Sequence, residues 1–194
     1  QRFQNDMTTY SVGPVVAFTP NDFLSFTAGV RYQISQFSTG GQVNDTSDFA
    51  GWVWNVGATQ RITRNLTHTV SANSAVNSGL GSNFTETVAA AYSLTWRFRP
   101  DMALNGSFAY SNSKQSGRSD FLVLVQDPTG TFLVPASVSF NDTADTYDFS
   151  LGTGYAFTER LRGSLGYSHQ IRDSKFATRS FKSNTVTLSL AYTF

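Results

Sequence analysis

The feature that most constrains this chain is the two-residue period of its final stretch, Asn184-Thr185-Val186-Thr187-Leu188-Ser189-Leu190-Ala191-Tyr192-Thr193-Phe194. Val186, Leu188, Leu190, Tyr192 and Phe194 fall on one side of the period. Thr185, Thr187, Ser189, Ala191 and Thr193 fall on the other. Side chains alternate faces along a strand, so this segment reads as a strand with one apolar face and one face of hydroxyls and methyls.

The same pattern recurs upstream. Tyr10, Val12, Val16 and Phe18 share a face with Pro14, which cannot donate a ladder hydrogen bond and so places this strand at an edge or a bulge. Leu24, Phe26, Val30, Tyr32 and Ile34 oppose Ser25, Thr27, Arg31, Gln33 and Ser35. Further strands put Trp52, Trp54 and Val56 on the apolar side, then Leu66, Val70 and Val76 with His68 among them. Phe84, Val88, Tyr92, Leu94, Trp96 and Phe98 follow, then Met102, Leu104, Phe108 and Tyr110. Tyr147, Phe149, Leu151, Tyr155 and Phe157 precede Leu161, Leu165, Tyr167 and Ile171. With the final strand, about nine spanning strands are expected. The segment 112–145 carries a hairpin signal at Asp127-Pro128-Thr129-Gly130, but its arms alternate poorly. It is expected to be a folded loop insertion rather than two further spans.

Four stretches repeat one shape: the turn through Pro20-Asn21-Asp22-Phe23-Leu24, then Arg61-Ile62-Thr63-Arg64-Asn65-Leu66, Arg97-Phe98-Arg99-Pro100-Asp101-Met102, and Ala156-Phe157-Thr158-Glu159-Arg160-Leu161. Each joins two strands by a short turn, while longer loops lie between them. Charged residues are 14% of the chain and aromatics 14%, where a soluble domain carries about 25% charged residues. Mean hydropathy is −0.22, and no apolar run approaches the roughly 20 residues of a membrane helix. Low charge, aromatic-rich alternation, and short turns opposite long loops fit a barrel with one face in lipid and one in water. The absence of cysteine excludes disulfides and thiolate metal sites. A net charge of +1 gives no case for nucleic acid as a partner. A soluble β-sandwich is the competing fold, but it does not need such aromatic faces on every strand.

A final alternating strand ending in Tyr192-Thr193-Phe194 resembles the last strand of bacterial outer-membrane β-barrels. The resemblance implies a Gram-negative outer-membrane location, lipid as surroundings, and recognition of that strand by the barrel-assembly machinery. The stretch from Gly163-Ser164-Leu165-Gly166-Tyr167 to Phe194 is similar to porin-like barrels found near exopolysaccharide secretion loci. That likeness implies an outer-membrane conduit for polysaccharide or other neutral or anionic solutes. The expected fold is all-β: an antiparallel up-and-down transmembrane barrel, with 112–145 as a long extracellular loop within a single barrel domain, 1–194. Nine spans is an odd number, and all-antiparallel closure needs an even one. The chain is therefore expected to be the C-terminal part of a larger barrel, completed by further strands or another envelope protein. Gln1-Arg2-Phe3-Gln4-Asn5-Asp6 has no apolar core of a signal peptide, which implies a processed or truncated start.

The inward face is expected to carry small residues with sparse charges: Arg31, Arg97, Arg162, Arg172 and Asp148 are the candidate lumen-lining positions. Such residues are too small to plug a narrow barrel, so the reading is a wide, wet, weakly cationic lumen. Arg97, Arg99 and Arg162 have a second reading, as rim residues beside the turns snorkelling to water. Phe18, Trp96, Phe98, Phe157, Tyr192 and Phe194 are candidates for an interfacial aromatic girdle. His68 and His169 both map to the apolar face, which argues against a metal site and against a barrel lipase or protease. Asn44-Asp45-Thr46-Ser47-Asp48 lacks the glycine and distal glutamate of a Ca²⁺ loop. No G-x-S-x-G is present. Neither a catalytic residue nor a cofactor is assigned. A structural barrel that scaffolds a larger envelope assembly is the alternative function.

Overall fold

The computed structural model describes residues 5–38, 47–79, 82–116, 119–126, 133–140 and 142–193, the side chains of 119–126 and 133–140 excepted. Its strands are β1 (Met7–Val12), β2 (Val15–Asn21), β3 (Leu24–Phe37), β4 (Phe49–Thr63), β5 (Leu66–Ser78), β6 (Phe84–Arg99), β7 (Met102–Gln115), β8 (Ser119–Gln126), β9 (Leu133–Phe140), β10 (Thr143–Ala156), β11 (Leu161–Ser174) and β12 (Phe181–Tyr192). Ten of them form one sheet in the order β1-β3-β4-β5-β6-β7-β10-β11-β12, with β2 also on β3. Neighbouring strands are antiparallel throughout.

β1 and β2 are a single crossing. Val12 faces Tyr32 and Val15 faces Gly29, so the register passes through Gly13-Pro14 unshifted. Pro14 has no N–H to give, but its carbonyl accepts from Val30 N at 3.1 Å. Gly13 lies against β3 so closely that a Cβ there would overlap the Val30 carbonyl oxygen. The expected edge position of this strand is therefore observed, as an interruption rather than a bulge. The ten strands make nine crossings. Among the described residues the path is open, with β12 paired only to β11 and β1 and β2 only to β3.

Register carries the alternation of each strand across the whole sheet. Tyr32 stands opposite Trp52, Val70 opposite Tyr92, Phe108 opposite both Tyr92 and Phe149, and Leu165 opposite Leu188. Arg31 and Gln33 lie on the other face, as the period predicts. The apolar face is uncovered: Leu188 is 75% exposed and Trp52 63%, while Val53, Phe84 and Ala144 are the buried hydrophobic residues among those described. A water-soluble fold does not leave a continuous sheet of aromatics and leucines bare. On β6 the apolar run extends from Val88 to Phe98 and stops at Glu86; on β7 it stops at Asn112, and on β12 at Asn184. Ten residues rising about 3.3 Å each, tilted about 40°, span roughly 25 Å, the height of a barrel's apolar band.

The four short connections, β2–β3, β4–β5, β6–β7 and β10–β11, lie at one end of the sheet, as the repeat predicts. Their shared shape has a physical basis. Asn21 Oδ1 accepts from Phe23 N at 2.9 Å, Thr63 Oγ1 from Asn65 N at 3.2 Å, and Thr158 Oγ1 from Leu161 N at 2.9 Å and Arg160 N at 3.3 Å. Such side-chain caps are the usual role of Asn and Thr in turns. In the β6–β7 turn Pro100 presets the bend and Arg99 clasps Asp101 at 3.1 Å. In three of the turns the register slips by one residue, between Phe18 and Asn21, Arg61 and Thr63, and Trp96 and Arg99. Each turn also bonds the end of the strand that follows its hairpin. The carbonyls of Phe23, Asn65, Asp101 and Arg160 accept from Arg61 N, Arg97 N, Ala156 N and Thr193 N at 2.7, 2.7, 2.8 and 2.9 Å.

At the opposite end, β8 and β9 form a separate two-stranded sheet inside the expected insertion. β7 continues to Gln115 and β10 begins at Thr143, so the wall extends slightly into the 112–145 segment from both sides. Phe84 departs from expectation. It opens β6 on the nominally outward side but is 6% exposed. Its ring stacks on Phe37 at 5.9 Å and meets Phe49 edge-on at 5.5 Å. At the strand end it is no longer bound to the pleat, and apolar contact draws it inward.

The face assignment has a direct test. Val70→Arg is expected to lower stability in a bilayer by about 2–4 kcal/mol, as cations on the lipid face of a barrel do. Ser71→Arg, one residue away on the polar face, is expected to change it little. Equal costs in denaturant unfolding from vesicles would reverse the assignment.

Candidate lumen face and rims

The polar face is built from short side chains that bond across strands. Thr9 and Ser35 hydroxyls lie 3.0 Å apart, Thr59 and Thr69 3.1 Å, and Ser107 and Ser150 2.7 Å. Gln33 Nε2 donates to Ser35 Oγ at 3.1 Å, and Gln170 Nε2 to Asp148 Oδ1 at 2.7 Å. These bonds hold small residues flat against the sheet and leave hollows above them. One of about 510 Å³ is lined by Ser25, Thr27, Arg31, Asn55 and Ser71 among others. One of about 380 Å³ is lined by Asp148, Ser150, Ser168, Gln170 and Thr185 among others. A third, of about 410 Å³, lies at the short-turn end and includes Arg97 and Arg162.

The five candidate charges share this face but not one environment. Arg31, Arg97 and Arg162 have no side-chain hydrogen bond or ion pair among the described residues. Asp148 is held by Gln170, one strand away. Arg172 sits at the long-loop end, 3.8 Å from Asp142. Asp142 is only 2% exposed. It accepts from Ser174 Oγ at 2.6 Å and from Arg179 Nη1 at 3.2 Å. Arg179 also donates to Gln115 Oε1 at 3.3 Å and lies 5.9 Å from the centre of the Phe176 ring. This cluster ties the 3₁₀ turn Ala177–Arg179 to the entrance of β10. Strand periodicity could not reveal it, because both Asp142 and Arg179 lie outside the strands.

On the apolar face, Phe18, Trp96, Phe98, Phe157 and Tyr192 are exposed at the short-turn end. Phe194 lies outside the described residues. Trp96 packs on Phe98 at 5.4 Å and Tyr155 on Phe157 at 4.8 Å. The Phe157 ring covers Gly163, where a Cβ would come within 2.8 Å of it. His68 bonds Gln60 at 2.9 Å, and His169 bonds Asn184 at 2.7 Å, with Tyr167 OH donating to the same amide oxygen at 2.8 Å. Each histidine is thus paired with an amide on the outer face. No cluster of potential metal ligands exists among the described residues. Asn44, Asp45 and Thr46 lie outside them.

The Asp142 cluster yields a second expectation. Asp142→Ala removes a buried carboxylate that accepts charge-assisted hydrogen bonds, at a cost of about 1–3 kcal/mol. It should also free the turn that carries Lys175 and Arg179, so tryptic cleavage there should accelerate. Unchanged cleavage on peptide mapping would deny the cluster its role as a tether.

Comparison with known proteins agrees with this geometry. A family model described as "Outer membrane protein beta-barrel domain" matches residues 10–194. No curated protein matches the chain. Among solved structures, the FrpB iron transporter from Neisseria meningitidis (F3-3 variant) superposes with a TM-score of 0.66 at 17% identity, over 99% of this chain and 32% of that one. The chain thus spans about a third of that transporter's length. At this identity the likeness is one of fold. The alternating wall, its bare apolar band, its end-segregated turns and the family match converge: this chain belongs to the outer-membrane protein β-barrel domain family and resides in the bacterial outer membrane.

Proposed function

We propose that this chain forms part of the wall of a water-filled outer-membrane conduit that passes neutral or anionic solutes, polysaccharide among them. The observation that carries the reading is the polar face. Nine crossings present Ser, Thr, Gly, Ala and Asn there, held flat by cross-strand hydroxyl pairs, above hollows of about 510 and 380 Å³. Side chains this short do not interdigitate into a plug. Arg31, Arg97 and Arg162 are the candidate lumen charges, and Asp148 is compensated only by an amide. Hydroxyls without strong charge suit sugar-like or small polar solutes. The description of the structural neighbour as an iron transporter is compatible with solute transport.

Peptide groups left unpaired in hydrocarbon cost several kcal/mol each. We therefore assign a neighbour to each open edge, β12 and β1–β2: further barrel strands or another envelope protein. β12, with its alternating faces, is the strand we assign to recognition by the assembly machinery. The hairpin β8–β9, in the long-loop insertion, is assigned to the extracellular side. Its separation from the wall favours a second reading, in which the barrel scaffolds a larger envelope assembly through that hairpin.

The test is solute flux. The protein carrying this chain, reconstituted into liposomes, is expected to admit small neutral sugars. Ser150→Trp, projecting into the 380 Å³ hollow, should reduce that flux severalfold without loss of folded barrel on unheated gels. Impermeable liposomes containing folded protein would favour the scaffold.

A further inference from the structure

Charge is unevenly distributed along the strand direction. The short-turn end carries Arg61, Arg64, Arg97, Arg99, Arg160 and Arg162 against Asp22, Asp101 and Glu159. Within this excess, the groove of about 410 Å³ is specific. Its floor is small: Ala103, Gly154, Ala156, Ser164, Ser189 and Ala191. Arg97 on β6 stands at one side and Arg162 on β11 stands toward the other, next to Ala191 of β12, with β7 and β10 between the two arginines. Three inter-strand steps put their backbones about 14 Å apart along the sheet, a gap two long side chains can close over a floor of methyls and hydrogens.

Among the described residues the one acid lining the groove is Asp101, and it is already engaged. Arg99 holds it through Nε at 3.1 Å and Nη2 at 3.2 Å. Arg97 and Arg162 have no carboxylate partner among the described residues. Two guanidiniums with free donor forks, flanking a shallow floor of Ala103, Gly154 and Ala156, with the Ser164 and Ser189 hydroxyls beyond it on the Arg162 side, match a small solute bearing carboxylate or phosphate groups. We propose that this groove is an anion-binding site at the short-turn mouth, with Arg97 and Arg162 as the ligand-contacting residues. Arg99 is a positioning residue that keeps the Asp101 carboxylate from neutralising them. The proposal rests on the reading of this face as a lumen and adds the solute class it selects.

The experiment is calorimetric titration of the whole purified protein in detergent with pyrophosphate and, separately, with tricarballylate, at low and high ionic strength. Saturable binding that weakens with salt is expected. Arg97→Gln and Arg162→Gln should each weaken it at least tenfold, and the double variant should abolish it. Arg99→Gln should weaken it severalfold by releasing Asp101, whereas Arg64→Gln, outside the groove, should bind like the parent. Pyrophosphate binding alone marks a phosphate site; binding of both marks a general oxyanion site. No saturable binding by either, or unaltered affinity in the double variant, overturns the proposal. Sugar flux into liposomes, measured on the same preparations, separates the two ideas. Flux without anion binding refutes this site and leaves the conduit; anion binding without flux refutes the conduit and leaves the site.

Discussion

A peptide N–H inside a bilayer has no water to turn to. That constraint governs this structure more than any side-chain contact, since an apolar side chain gains little by facing protein rather than lipid. Backbone hydrogen bonds between antiparallel neighbours carry the wall, and the register of those bonds decides which atoms meet lipid. Shift one strand by a single residue and its leucines and aromatics exchange places with its serines. The one-residue slips occur close to the turns, where they leave the apolar band in phase.

This explains what was legible in the residues beforehand. The alternation of Leu24 to Ile34 or of Val186 to Tyr192 is strict because one side chain in two meets hydrocarbon. Strand positions, faces, the odd number of crossings and the common end of the turns followed from it. Strand ends were less legible. Beyond the bilayer the period ceases to be enforced, so Phe84 turned inward onto Phe37 and Phe49 although its parity points out. The pairing of Arg172 and Arg179 with Asp142 was hidden for a related reason: Asp142 and Arg179 lie outside the strands and distant in sequence, where no periodic signal exists.

The charges on the polar face are a similar mixture of the visible and the hidden. The period along the strands puts Arg31, Arg97, Asp148, Arg162 and Arg172 on the polar face. It could not tell which were compensated, because that depends on neighbours brought alongside by the sheet. Gln170 reaches Asp148 across one ladder, and Arg99 reaches Asp101 within one turn. Of the arginines left over, Arg31 lies in the middle of β3, while Arg97 and Arg162 lie near the short turns, which gives the two ends of the wall different electrostatic character.

The bond from each short turn to the strand that begins the next one has a consequence for how such walls can grow. The carbonyls of Phe23, Asn65, Asp101 and Arg160 each accept one hydrogen bond, donated by the equivalent amide at the end of the strand that follows the hairpin. Donor and acceptor occupy the same positions in every unit. A two-strand unit removed from the middle, or copied into it, leaves no unmatched partner at the splice. The wall is modular in steps of one hairpin. A lineage can therefore widen or narrow such a barrel by duplicating or deleting hairpins, without redesigning the joints between them.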